Sequence, residues 1–479
     1  TFLFTKQGGF PKELYGLTGT FIAIANIIFA LASFGTPSYI NKFFPYYTSH
    51  LDYKHNDQLT WAVILPFIGF VLVLIPGIAF KHILVDKVFN NSPELLKYYY
   101  WIFPFGFGYT IFMVMEAYAW QQRKAVLSNT LREVLFRFFL TILIALTTLQ
   151  VIKTFDVFIG LYSLLYIILA VILLFYFRNR GQLYFVPVVS RVTKKFYRKI
   201  VALLSFIWAG SLLVNVANVI DIIFIAAVLP NGMAAAAIFI FAQNISSLMQ
   251  APQRAIISAS NGPLSTAWKE KDFETISRIY HRSSINQLIF ATCMFFLIWM
   301  NFEDAILSFH IQPVYVQAKW VFLFLGITRI IDMGTGLNAQ IIATSTFWRF
   351  EFITGLILLA LMLPLNFELT RYYGVTGPAI SSLIALTVYN AIRYFYLLRK
   401  FKMQPFTAKT IYTILLSVLC YYLTSFLFKQ THGFVMMVLR SMFFLILFGT
   451  GLITLKLSPD ILPVLGTIKK RLRLGSEVR

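Results

Sequence analysis

Thirteen stretches of about twenty residues, each almost free of charge, follow one another along this chain, and that repetition decides what it can fold into. A hydrocarbon layer of about 30 Å is crossed by roughly twenty residues of helix. Within it every backbone N–H and C=O must find a partner inside the chain, so apolar runs of this length become helices. They lie at 15–36, 60–80, 98–120, 128–150, 156–177, 199–229, 232–262, 282–308, 319–345, 349–369, 375–398, 408–428 and 433–456. The chain opens on Thr1 rather than Met, and "TFLF" reads as the tail of one more span. The expected fold is all-α and polytopic, with fourteen transmembrane helices of which the first is largely missing. Composition agrees: 58% of residues are hydrophobic and 13% charged, where soluble domains run near 45–50% and 25%.

The net charge of +22 is explained by where the basic residues sit. If the segment 178–199, with seven Lys and Arg, is cytoplasmic, the loops on its side and the tail "KKRLRLGSEVR" hold 28 of the 41 basic residues and the opposite loops nine. That asymmetry is the topological signature of a membrane protein with both termini in the cytoplasm. Nucleic acid is not an expected partner. Cys293 and Cys420 lie in apolar runs, and the six histidines form no ligand pair on one helix, so neither a disulfide framework nor a metal is expected. Walker A, GxSxG and HExxH patterns are absent, no outer loop is long enough for a catalytic domain, and the expectation is a protein that is not an enzyme.

An offset of 218 residues superimposes two halves. Asn26 falls on Asn244, Pro45 on Pro263 and Glu133 on Glu351, and the order of spans matches around these anchors. An even number of spans separates the copies, so they are parallel repeats of six. The expected organisation is a first lobe at 1–180, a cytoplasmic linker with a second lobe at 181–398, and two additional helices with a basic tail at 399–479.

Polar residues inside the spans are the candidate site. Ser211, Asn215, Asn218 and Asp221 lie on one helical face, and Gln243, Ser247, Gln250, Arg254, Ser258 and Asn261 on another, a stripe about 27 Å long. A charge at the centre of a span costs about 2.5–3.5 kcal/mol on insertion scales, so such a stripe points to a water-filled cavity. Counted from the turn Pro230–Asn231–Gly232, Asp221 is about 13 Å deep and Arg254 about 33 Å deep, which rules out a direct pair. Arg329, about 15 Å into its own span, is the better partner for Asp221, with Asp332 one turn further on. A purely structural network of Asp221, Arg329 and Asp332 is the competing reading. Glu116 is expected to pair with the Arg132/Glu133/Arg137 group, and Pro37 and Pro252 are flexing points or fixed kinks.

"GGFPKELYGLTGTF", "FGTPSYINKFFP" and "NTLREVLFRFF" resemble the first outer turn, the end of the second helix and the start of the fifth in polysaccharide exporters. With fourteen spans and an added pair, the chain resembles the Wzx-type oligosaccharide flippases of the multidrug/oligosaccharidyl-lipid/polysaccharide (MOP) superfamily. The resemblance implies two lobes around a central cavity that opens alternately to each face of the bacterial inner membrane. The substrate would be an undecaprenyl-diphosphate-linked oligosaccharide for O-antigen, capsule or exopolysaccharide assembly. The partners implied are that lipid, the membrane lipids and a polysaccharide polymerase, with the chain itself a monomer. Arg254 and Arg329 would meet the diphosphate, and Gln243, Asn244, Gln250, Asn215 and Asn218 the sugar hydroxyls. No cofactor is implied beyond coupling to an H+ or Na+ gradient through Asp221 or Asp332. The lipid II flippases usually carry cations in the first lobe as well, whereas here Thr36 matches Arg254. A multidrug cation antiporter of the same superfamily predicts twelve spans and an acidic cavity. A membrane-embedded polymerase or acyltransferase predicts a large outer loop or an intramembrane histidine.

Overall fold

The structure is a computed structural model that describes residues 2–6, 10–83, 89–186, 188–345, 347–429 and 431–460. The basic tail, and the side chains of Ser258, Asn261 and Glu351, lie outside the described set. The described residues form nineteen α-helices: α1 (Phe2–Thr5), α2 (Lys12–Ala32), α3 (Thr36–His50), α4 (Gln58–Ala79), α5 (Pro93–Tyr98), α6 (Ile102–Gln121), α7 (Ala125–Thr130), α8 (Phe136–Thr148), α9 (Phe155–Asn179), α10 (Arg191–Val228), α11 (Gly232–Ser247), α12 (Ala251–Glu270), α13 (Phe273–Ser308), α14 (Ala318–Gly334), α15 (Asn338–Thr344), α16 (Trp348–Tyr373), α17 (Gly377–Phe401), α18 (Ala408–Leu427) and α19 (Phe434–Thr454). Eleven helical stretches among them are long and apolar enough to cross a membrane, and one of these, Phe352–Phe401, takes in most of α16 and all of α17. The chain is a multi-pass, all-helical membrane protein.

One expected span has a different build. The run at 128–150 is α7, a π turn over Leu131–Leu135, and α8, which alone has only 13 residues. The wide turn carries Arg132 and Glu133. Arg132 ion-pairs at 2.9 Å with Glu116, buried on α6, while Glu133 takes Arg137 at 2.7 Å.

The 218-residue repeat is visible in the elements. α2, a break and α3 with Pro45 inside it correspond to α11, a break and α12 with Pro263 inside it. The proline-led turns before α6 and α14 also match, one beginning at Pro93 and the other at Pro313. The chain divides into two compact units, Thr1–Ala237 with Asn366–Val375, and Ile238–Leu365 with Thr376–Arg479.

In the first unit, α6 packs on α2 and α9, and α10 packs on α2 and α3. Rings at the α6–α9 contact stack, Phe105 on Tyr162 at 4.9 Å, and the Tyr162 hydroxyl donates to the Thr18 carbonyl of α2 at 3.1 Å. Between α2 and α3 the chain turns through Gly35 at φ +72°, a conformation that favours glycine. Such a break strands carbonyls at the end of α2. Trp208 of α10 answers two of them, donating from Nε1 to Ala30 O at 2.8 Å and Leu31 O at 3.2 Å. α4 closes on the same place: a Cβ on Gly69 would stand 2.2 Å from the Ala32 carbonyl oxygen.

Asp57 fastens the opposite end of this unit. Fully buried at the start of α4, it accepts at Oδ2 from Trp61 Nε1 (3.1 Å), the Ser190 N–H (2.9 Å) and Thr193 Oγ1 (2.8 Å). Thr193 in turn bonds the Tyr47 hydroxyl at 2.6 Å, which accepts from Tyr39 at 2.8 Å. Ser190 caps α10, accepting from the Thr193 N–H at 3.2 Å. One carboxylate therefore ties the linker and the start of α10 to α3 and α4.

In the second unit, α13 packs on α12, α14, α18 and α19. Near one end, Asp304 accepts from Arg440 of α19 at 2.5 Å and from His432 at 3.0 Å, and Asn301 accepts from Arg440 and donates to Ser441. Near the other end, Asp460 accepts from Arg282 and, at 2.6 Å, from Asn286. Cys420, Phe444, Phe448 and Leu452 of α18 and α19 pack between with Leu457. The added pair is thus bolted to α13 at both ends.

Candidate functional site

The polar face of α10 holds Asn215, half-buried, with its amide donated to its own helix at Ser211 O (2.7 Å). Asn218 is exposed, and Asp221 is buried at 5% exposure. One turn beyond Asp221, the Phe224 ring meets Phe367 of α16. Beside Phe367, Asn366 and Thr370 of α16 are fully buried, and their side-chain polar atoms have no hydrogen-bond partner among the described residues. Leaving such groups unmatched costs about 1–3 kcal/mol each. Sequence reading passed over both, because a single Asn or Thr in a span is ordinarily helix glue.

On α11 and α12, Gln243 and Gln250 are half-buried, Asn244 is exposed, and Arg254 is exposed in the first turn of α12. The side chains of Asn218, Gln243, Gln250 and Arg254 make no hydrogen bond or ion pair among the described residues. Their bonding capacity is unspent, which is what a surface for a hydroxyl-rich ligand requires. The stripe is interrupted by a 3₁₀ turn at Leu248–Gln250, after which Pro252 occupies the first turn of α12. Pro37 sits in the matching first turn of α3. Proline fits there because its missing N–H is needed least at a helix start.

Arg329 is half-buried on α14. Asp332, three residues on, is held by amides: Gln253 Nε2 donates to its Oδ2 at 2.9 Å and Asn390 Nδ2 to its Oδ1 at 3.2 Å. Asn390 Oδ1 then accepts from Asn338 at 2.9 Å and Thr335 at 3.2 Å. Four elements of the second unit, α12, α14, α15 and α17, meet in this network. Nearby on α17, buried Arg393 donates to the Tyr389 hydroxyl and lies 3.6 Å over its ring.

No protein-family model and no curated protein sequence matches the chain. Solved structures do. The lipid II flippase MurJ in an inward closed conformation matches with a TM-score of 0.71 at 14% identity, covering 95% of each chain. The fold is that of the MOP-superfamily transporters. An inward-facing multidrug-resistance MATE transporter of that superfamily matches with a TM-score of 0.63 at 13% identity, over 84% of this chain and 93% of its own. The Vibrio cholerae MATE transporter VcmN follows at 0.53 and 14% identity, over 81% and 88%. The MOP fold thus agrees with what the exporter-like segments of the sequence imply for the architecture, and it leaves the substrate open.

Proposed function

We propose that this protein flips undecaprenyl-diphosphate-linked oligosaccharides across the bacterial inner membrane for cell-surface polysaccharide assembly, by alternating access between its two repeats. The observation that carries the reading is Arg254, exposed and, like Gln243 and Gln250 on the same stripe, without a hydrogen bond or ion pair among the described residues. An arginine in a span is tolerated where water reaches it. Its planar fork meets phosphate oxygens in pairs, and the amides suit sugar hydroxyls. The lipid chain needs no site, because it can stay in the bilayer. Further support is the coverage: the match to the lipid II flippase covers 95% of this chain and the match to the MATE transporter 84%.

In this scheme Arg329 serves the diphosphate from a second direction. Asp221, buried on α10, takes a proton or Na+ whose gradient drives the cycle, at about 2.3 kcal/mol per charge per 100 mV of membrane potential. Asp332 is a structural anchor. Pro37 and Pro252 mark where each repeat bends. The working unit is a monomer with both termini in the cytoplasm, handing its product to a polymerase.

The test is reconstitution in proteoliposomes with an undecaprenyl-diphosphate oligosaccharide, reading its arrival in the far leaflet for wild type, Arg254→Ala and Arg254→Lys. Flipping by wild type, lost in the alanine variant and partly kept in the lysine variant, is the expected result. Export of an organic cation that depends on Asp221, with no lipid movement, would overturn it in favour of a drug antiporter.

A further inference from the structure

A second cationic site lies on α17, outside the polar stripes. A pocket of about 540 Å³ is lined by Ile392, Phe395, Tyr396, Arg399 and Lys400, which recur at helical spacing and so share one face. That face continues backwards through Val388 and Ile384, both exposed, giving an apolar lane about 22 Å long from Ile384 to Arg399. The exposed hydroxyl of Thr387 beside it is spent on its own helix, donating to Leu383 O at 2.6 Å. The lane therefore offers nothing polar until its end.

At that end stand two cations with no acidic partner among the described residues. Arg399 makes no hydrogen bond or ion pair among the described residues. Lys400 has only aromatic company: its Nζ is 3.3 Å above the Phe347 ring and 3.3 Å from the Tyr396 hydroxyl. Tyr396 is itself fixed by stacking on Phe350 of α16 at 3.9 Å. α17 carries no Asp or Glu at all. A common use for basic residues at a helix end is to serve the last carbonyls. That use is already filled, because the chain turns left-handed at Lys402 and the N–H groups of Lys402 and Met403 donate to Leu398 O and Leu397 O. A pocket in the first unit, formed by Thr48, Leu51, Asp52, Lys54, Gly181 and Tyr184, holds one charge of each sign and lacks this imbalance.

We propose that this face binds an anionic phospholipid, with its phosphate between Arg399 and Lys400 and an acyl chain along Ile384, Val388, Ile392 and Phe395. A phosphate answers both uncompensated cations, and only a lipid also uses the lane. Basic clusters at the membrane surface attract anionic headgroups at about 1 kcal/mol per residue.

The site is tested on the full chain in detergent by native mass spectrometry, titrating dioleoyl phosphatidylglycerol against dioleoyl phosphatidylcholine. Wild type is expected to retain the anionic lipid preferentially. Arg399→Gln/Lys400→Gln should reduce that preference on the order of tenfold or more, while the equally basic pair Lys319→Gln/Lys429→Gln, by the opposite end of α13, leaves it unchanged. Should the double variant be poorly folded, Arg399→Gln alone reports the same loss at an exposed position, and Phe395→Ala should weaken retention without altering charge. Glycerol phosphate in millimolar excess should not displace the lipid. If it does, the site is a plain phosphate site and the lane is irrelevant. An unchanged preference in the Arg399 variants, or an equal loss in the Lys319/Lys429 control, overturns the proposal. Neither result bears on whether the chain flips a lipid-linked sugar.

Discussion

Thr36 and Arg254 hold the same place in the two repeats, and they could hardly differ more. Thr36 is fully buried beside the break after α2, whereas Arg254 is exposed beside the break after α11. The contrast runs through both copies. In the first, charged and amide groups are spent internally: Glu116 on Arg132, Asp57 on three donors, and Asn26 on Tyr109 at 2.9 Å and on Ile22 O. In the second, Gln243, Gln250 and Arg254 around the break make no hydrogen bond or ion pair among the described residues, although Asp332 and Asn390 further along are bonded as fully as the acids and amides of the first. The backbone breaks at the matching place in both copies, and the residue after the break is packed away in one and exposed in the other.

The sharpest way to break that comparison is to give the first repeat the residue of the second. Thr36→Arg places a guanidinium at a fully buried position, and the expected cost is about 3–5 kcal/mol. It should appear as a collapse of the unfolding midpoint or of monodisperse yield; a well-folded variant would show that the first break is as wet as the second. Next in size is Asp57→Ala, which strands three donors and should cost about 2–4 kcal/mol in thermal unfolding. Asp57→Asn should recover part of that loss, because an amide oxygen still accepts. Arg254→Ala should do the opposite of both. Its unfolding midpoint should match wild type within about 0.5 kcal/mol, while flipping falls roughly 10- to 100-fold, the worth of a charge-assisted contact.

The smallest effect concerns the end of the second unit. Arg282, and after it Asn286, hold the Asp460 carboxyl below its ordinary value of 3.8. A depressed carboxyl adds stability that is present above the unfolded value and is lost as pH falls through the folded one. Unfolding midpoints measured at pH 5 and pH 3 should therefore differ more in wild type than in Asp460→Asn. Because the pair is part-exposed, the difference should not exceed about 1 kcal/mol.

Spans were legible because lipid leaves one solution for an apolar run of twenty residues, and the repeat was legible because Pro45 and Pro263 survive in both copies. The Glu116–Arg132 pair could be anticipated from neighbouring spans, though not the π turn that carries Arg132. Asp57 could not, since two of its partners, Ser190 and Thr193, lie 133 and 136 residues away and bear no charge. Arg399 and Lys400 looked like two more cytoplasmic positives. Only the cap at Lys402 and the ring under Lys400 show that the helix end has no need of them. In each case the missing information was a tertiary contact between residues whose types are individually unremarkable.

The bolt between Asp304 and Arg440 has a bearing on biogenesis. The ribosome delivers the carboxylate 136 residues before its arginine. Throughout that interval the nascent chain holds an acid on α13 whose counter-charge has not been made. A chain cut short before α19 would carry that carboxylate in a span without its arginine, at a cost of about 2.5–3.5 kcal/mol on insertion scales.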